Sequence, residues 1–92
     1  MMIARQVFYE GRVQGVGFRF TVKQIARGFE VTGWVRNLDD GRVELQVAGE
    51  ANEVDAFLAA IAESELKSHI KQTAVHHVNP PPAGFRGFEI IR

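Results

Sequence analysis

The chain opens in alternation. Between Ala4 and Val13, the residues Val7, Tyr9, Gly11 and Val13 share one face of an extended strand, with Gln6, Glu10 and Arg12 on the other and Phe8 out of phase. The period then lengthens. Phe18, Val22, Ile25, Ala26 and Phe29 recur at helical intervals and predict a helix from about Arg19 to Gly28. Alternation returns at Val31, Gly33, Val35 and Asn37 against Thr32, Trp34 and Arg36, and again at Val43, Leu45, Val47 and Gly49. The turn residues of 38–41, Leu-Asp-Asp-Gly, lie between these runs and predict a β-hairpin. Val54, Phe57, Leu58 and Ile61 predict a second helix over 52–64, with Asn52 as its cap. His69 to Val78 has the content of a strand, but Ile70 and Val75 differ in parity, so burying both requires a β-bulge. Residues 79–84, Asn-Pro-Pro-Pro-Ala-Gly, form a stiff connector, and Phe85 to Ile91 a short last strand.

The order is therefore β-α-β-β-α-β with a short extra C-terminal strand, and each helix carries one apolar stripe. Two helices packed on one face of an antiparallel sheet satisfy this pattern: an α+β, ferredoxin-like α/β sandwich. A chain of 92 residues suits one domain spanning 1–92, and no repeat, low-complexity tract or linker interrupts it. Such a fold serves many functions, so chemistry must come from particular residues.

Composition narrows the classes. Apolar residues make up 46 % and charged residues 24 %, a balance suited to a soluble globular protein. Lys plus Arg and Asp plus Glu each number 11, so no global positive field recruits nucleic acid or an anionic membrane, and neither is an expected partner. Any anion site must be local. There is no cysteine, which removes disulfides, thiolate nucleophiles and Cys-based zinc sites. The N-terminus has no long apolar run, and the cytoplasm is the expected compartment. His76 and His77 are neighbours on a predicted strand and point to opposite faces, so no metal site is expected there. Asp39 and Asp40 belong to the hairpin turn rather than to an acid-base pair. Phe8 and Trp34 are packing residues rather than a base-stacking platform, because the aromatic strand motif with basic ends is missing. Arg12, Arg36 and Arg42 are either solvated surface charges or an extension of a local positive field.

The stretch of 11–19, Gly-Arg-Val-Gln-Gly-Val-Gly-Phe-Arg, stands at the junction of the first strand and the first helix. It lacks the Gly-Lys-Ser/Thr ending of a Walker loop, and Phe20 occupies the place of the third glycine of a dinucleotide fingerprint. Two readings remain open on these residues alone. One is a tight glycine turn with Arg19 as a surface charge. The other is a nest of main-chain N–H groups at a helix N-terminus, with Arg19 adding a planar cationic fork suited to a phosphate. Asn37, before its turn, reads on its own as a turn former.

The motif of 11–19, followed by "TGWVRNLDDGRVELQVAGE", resembles the acylphosphatase family, and "PPPAGFRGFEI" resembles that family's C-terminal end. The resemblance spans nearly the whole chain. It implies metal-independent hydrolysis of the carboxyl-phosphate bond of acyl phosphates to a carboxylate and inorganic phosphate, with no cofactor. It further implies a phosphate cradle at about Gly15 to Arg19, an Arg19 guanidinium on the phosphoryl oxygens, and a water positioned by Asn37. Gln14, Val16 and Phe18 also match, as cradle or packing residues. Inorganic phosphate or sulfate is expected to compete as an anion, and the chain to be a monomer. The alternatives are a non-catalytic anion- or nucleotide-binding module on the same fold, an RNA-binding domain that the neutral charge disfavours, and a fragment of a larger carbamoyl-transfer protein, against which Met1 and the C-terminal motif suggest a stand-alone chain. Two departures affect loops. Glu30 stands where the family usually has glycine, so the first helix should end differently, and "ESELKSHIK" replaces a glycine- and proline-bearing segment after the second helix.

Overall fold

In the computed structural model, which describes residues 1–79 and 86–92, the alternating stretches form β1 (Met2–Gly11), β2 (Val31–Asn37), β3 (Val43–Glu50), β4 (Ile70–Val78) and β5 (Phe88–Ile90). The two helices are α1 (Phe18–Ala26) and α2 (Ala51–Ala62). The strands lie in the order β4-β1-β3-β2-β5. The pairings β4–β1, β1–β3 and β3–β2 are antiparallel, as expected, but β5 runs parallel to β2, which makes the sheet mixed. The register explains the direction. Val78, at the end of β4, is level with Ala4, Ala48 and Thr32 across the sheet, and β5 starts beside Gly33 at nearly that level. A strand that begins where β4 ends and takes the free edge of β2 has only one direction open to it.

The helices close one face of this sheet. Their stripes, led by Phe18 and Val22 on α1 and by Val54, Phe57 and Ile61 on α2, pack against Val7, Val35, Leu45 and Val47. Burying each such side chain contributes about 1.5–3 kcal/mol. Helix α1 ends two residues before Gly28: Arg27 N donates to Gln24 O at 3.2 Å and Gly28 N to Ile25 O at 3.0 Å, a tightened last turn. Glu30 then donates its main-chain N–H to Glu53 Oε1 at 2.7 Å, so it sits in ordinary backbone and ties the segment after α1 to α2. Asn52 does not cap α2. The helix starts at Ala51 after extended Glu50, placing Asn52 inside the first turn. The predicted helix end at 63–64 is instead a junction. Ser64 Oγ accepts from Leu66 N at 3.1 Å and starts a 3-10 helix, Glu65–His69, whose Leu66 plugs the core.

The bulge is present. Glu10 pairs with Gln72 but Gly11 with Ile70, leaving Lys71 as the extra residue and turning Ile70 toward the core. Val75 faces the same side opposite Val7, yet β4 is an edge strand and Val75 stays 49 % exposed. The connector predicted at 79–84 lies, except for Asn79, outside the described residues, as does Phe85.

On the opposite face, buried Glu44 accepts from Gln6 Nε2 at 2.7 Å and from Arg36 Nε at 2.8 Å. Arg36 covers the Trp34 ring at 5.3 Å and Arg42 the Phe8 ring at 4.6 Å. Each ring is capped by a guanidinium, and β3 separates the strands that carry them, so they form no continuous platform. His76 sits edge-on to Phe8 at 5.8 Å. Among the described residues, no helix is long and apolar enough to cross a membrane, and no three His, Cys, Asp or Glu side chains cluster as a metal would require.

Candidate active site

Between β1 and α1 the loop is held by apolar feet and left bare above them. Val13 is fully buried, Phe18 is 2 % exposed and packs its ring at a tilt, 5.1 Å between centroids, against buried Tyr9, and Val16 packs against the core. Burial pushes the Tyr9 phenol well above its ordinary range, so this group beneath the loop stays neutral. Gly15 and Gly17 lie between these anchors with φ of 78° and 77°, in the left-handed region, and no atom approaches the place where a Cβ would stand. The glycines thus meet a backbone demand, with open space where a side chain would otherwise stand. Gly17 is also the N-cap of α1, with no side-chain cap and no acidic residue in the first turn. The free N–H groups and positive end of the helix dipole therefore face an opening without a competing carboxylate, the arrangement that suits an oxyanion. Arg19, half-buried, comes from the first turn.

Asn37 arrives from the last residue of β2. Its Oδ1 is buried and has no hydrogen-bond partner among the described residues. Leaving such an acceptor unpaired costs about 1–3 kcal/mol, which a bound water or substrate atom would recover. The turn beyond it closes through Leu38 N donating to Arg42 O at 2.8 Å. Gln14 then reaches across: its Nε2 donates to Leu38 O at 2.7 Å and to Arg42 O at 3.0 Å. One carboxamide thereby fastens the glycine loop to the hairpin, one residue beyond Asn37.

Gly15, Gly17, Phe18, Arg19 and Asn37 meet in one cleft of about 210 Å³, completed by Val13, Phe20 and Ile90. Gln14 and Val16 do not line it. Gln14 spends its side chain on the hairpin, and Val16 is a foot of the loop. Neither therefore touches the cleft as a phosphate-binding side chain, and the clamp made by Gln14 was not legible, because both its partners are main-chain carbonyls far along the chain. Phe20 and Ile90 were missed as cleft residues. An apolar side chain outside the helical stripe and next to Arg19 was the available signal for Phe20; nothing local marks Ile90. Arg36 and Arg42 are occupied by Glu44 and Asp40, each at 2.8 Å. The main-chain N–H of Arg42, and then its guanidinium, hold the exposed Asp40 carboxyl below the usual range, which fits a turn residue.

Fold and site together define an α+β domain whose cleft brings a glycine loop at a helix N-terminus together with one guanidinium and one carboxamide. Comparison with known proteins specifies the class further. The Acylphosphatase family model matches residues 5–90. An acylphosphatase of Trichormus variabilis is 40 % identical over 91 residues, covering 99 % of this chain and 88 % of the relative. One from Bacillus licheniformis is 38 % identical, covering 97 % and 98 %. The crystal structure of acylphosphatase from Bacillus subtilis superposes with a TM-score of 0.88 at 34 % identity over the whole of both chains. The chain belongs to the acylphosphatase family. Its activity is acylphosphatase activity, the hydrolysis of a mixed carboxyl-phosphate anhydride.

Proposed function

We propose that the main-chain amides of residues 15–19 and the Arg19 guanidinium bind the phosphoryl group, and that Asn37 Oδ1 orients the attacking water. The observation that carries this assignment is the buried, unpartnered Asn37 Oδ1 in the same cleft as Gly15, Gly17 and Arg19. The leaving group of an acyl phosphate is a carboxylate, stable without a proton, so the site needs no general acid. Phosphoryl transfer asks for stabilisation of charge on the equatorial oxygens and in-line placement of the nucleophile. The amides and Arg19 supply the first. Asn37 supplies the second by accepting one hydrogen of the water, and since a carboxamide is a poor base, the other proton passes to a phosphoryl oxygen. The P–O bond to the carboxylate breaks as the P–O bond to water forms, and no metal is required. The substrate is a small acyl phosphate, with inorganic phosphate or sulfate competing for the cradle. Residues 1–92 act as one domain and as a monomer, and the cytoplasm is the compartment of action.

The test is hydrolysis of an acyl phosphate in the presence of a chelator. Arg19→Gln weakens inhibition by inorganic phosphate and removes most turnover. Asn37→Ala leaves that inhibition nearly intact while kcat falls on the order of a hundredfold, the size expected for lost positioning. Equal loss of phosphate binding and rate in Asn37→Ala overturns the water-positioning role, and activity that appears only with added metal overturns the mechanism.

A further inference from the structure

Part of the cleft takes no part in phosphoryl chemistry. Among the described residues, the large hydrophobic side chains left exposed are Met1, Met2, Phe20, Val75 and Ile90. Two of these, Phe20 at 61 % and Ile90 at 38 %, line the cleft with Arg19 and Asn37. Phe20 follows Arg19 on α1 but lies off the buried line of Phe18, Val22 and Ala26, so core packing does not call for an aromatic ring there. Ile90 is brought in by β5, which pairs it with Val35, two residues before Asn37 on the same side of β2. Separate elements thus place two exposed apolar groups around one polar site. Scattered apolar residues need no explanation, but two at the mouth of one cleft form a patch with a direction.

We infer that Phe20, with Ile90 closing the wall, seats the acyl substituent, and that the enzyme favours acyl phosphates bearing an aryl or branched alkyl group over small or charged ones. This inference rests on the proposed phosphoryl cradle. With the phosphoryl group held at 15–19 and water at Asn37, in-line geometry sends the carboxylate away from the water, out of the polar cradle and toward the apolar lining of the cleft. A cleft of about 210 Å³ is smaller than the roughly 300–1,000 Å³ of pockets that enclose a whole ligand. The substituent therefore lies at the mouth and keeps one face in water. A charged substituent would lose hydration against the two apolar side chains without gaining a partner. Selectivity from such contact is modest, on the order of tenfold.

The experiment measures kcat/KM for benzoyl phosphate and acetyl phosphate in the parent protein, Phe20→Ser and Phe20→Ser/Ile90→Ser. The benzoyl-to-acetyl ratio is expected to fall roughly tenfold in the double variant, most of it already in Phe20→Ser; intrinsic reactivity of the two substrates cancels in this comparison. A ratio within twofold of the parent in the double variant overturns the inference. Inhibition by inorganic phosphate is measured alongside. Its absence in the parent would defeat the cradle assignment, whereas intact inhibition with an unmoved ratio would defeat only the acyl seat. Both side chains are exposed, and circular dichroism with a urea midpoint confirms that each variant is folded.

Discussion

Replacing Gln14 by leucine should slow catalysis without removing any group from the cleft. The side chain keeps its bulk but loses two hydrogen bonds, to Leu38 O at 2.7 Å and Arg42 O at 3.0 Å. Neither carbonyl is orphaned: Leu38 O still accepts from Gly41 N at 3.2 Å and Arg42 O from Leu38 N at 2.8 Å. The loss is therefore the net value of two neutral hydrogen bonds, about 2 kcal/mol, with no added cost of stranded acceptors. A domain of this size loses about 10 °C in Tm for that amount and remains folded at 25 °C. The effect on rate is separate. Gln14 is the link that sets the glycine cradle against the turn following Asn37, and a displacement of about 1 Å between nucleophile and phosphoryl group costs on the order of a hundredfold. The expectation is a kcat at least tenfold lower with inhibition by inorganic phosphate nearly unchanged, because the cradle itself is intact. Gln14→Glu serves as the control for size. When ionised it has no proton for either carbonyl, so it falls at least as far as Gln14→Leu. The assays are urea unfolding and steady-state hydrolysis on the same preparations. A stability loss with unchanged kcat would show that Gln14 staples the hairpin without positioning Asn37, and a full kcat in Gln14→Glu would refute the hydrogen-bonding argument outright.

Two further outcomes test the frame around the site. A Cβ at Gly33 would stand 1.9 Å from Gln46 O on the neighbouring strand, with φ at 151°, so Gly33→Ala should destabilise by roughly 3 kcal/mol through overpacking and backbone strain; a urea-derived loss under about 1 kcal/mol contradicts the close β2–β3 approach. Asp40 has its carboxyl held below the ordinary value, first by the main-chain N–H of Arg42. Its contribution is present above the unfolded pKa of about 3.9 and lost as pH falls through the lower folded value. The urea midpoint of Asp40→Asn should therefore lie below the parent's near neutrality and converge with it in acid, and a gap that stays constant with pH counts against the ion-pair account.

How far the sequence discloses this molecule depends on the range over which each feature is encoded. Strand and helix periods are local, and they located every strand and both helices to within a few residues. The parity conflict between Ile70 and Val75 pointed to the bulge now seen at Lys71, although Val75, on the edge strand, stays exposed and only Ile70 reaches the core. Helix ends were less legible because main-chain bonds decide them: α1 stops where Gly28 N takes Ile25 O, and α2 starts from Glu50 without the carboxamide cap that Asn52 seemed to offer. The 3-10 helix after α2 exists because Leu66 has a place in the core, a tertiary fact that no local period carries. The site shows the same division. Gly15, Gly17 and Arg19 form a contiguous motif, whereas Asn37 is indistinguishable from a turn residue until the resemblance, and then the cleft, set it opposite them. Gln14 goes further: its identity fits the motif, but its purpose lies in two carbonyls more than 20 residues away. A family signature can thus preserve residues whose physical function it does not express. That is why substitutions at Gln14 and Phe20, rather than at Arg19, separate a site assembled by geometry from one inferred by likeness: Gln14 acts by placing the loop against the hairpin and Phe20 by touching the substituent, so a failed prediction at either would leave the family intact and the geometry wrong.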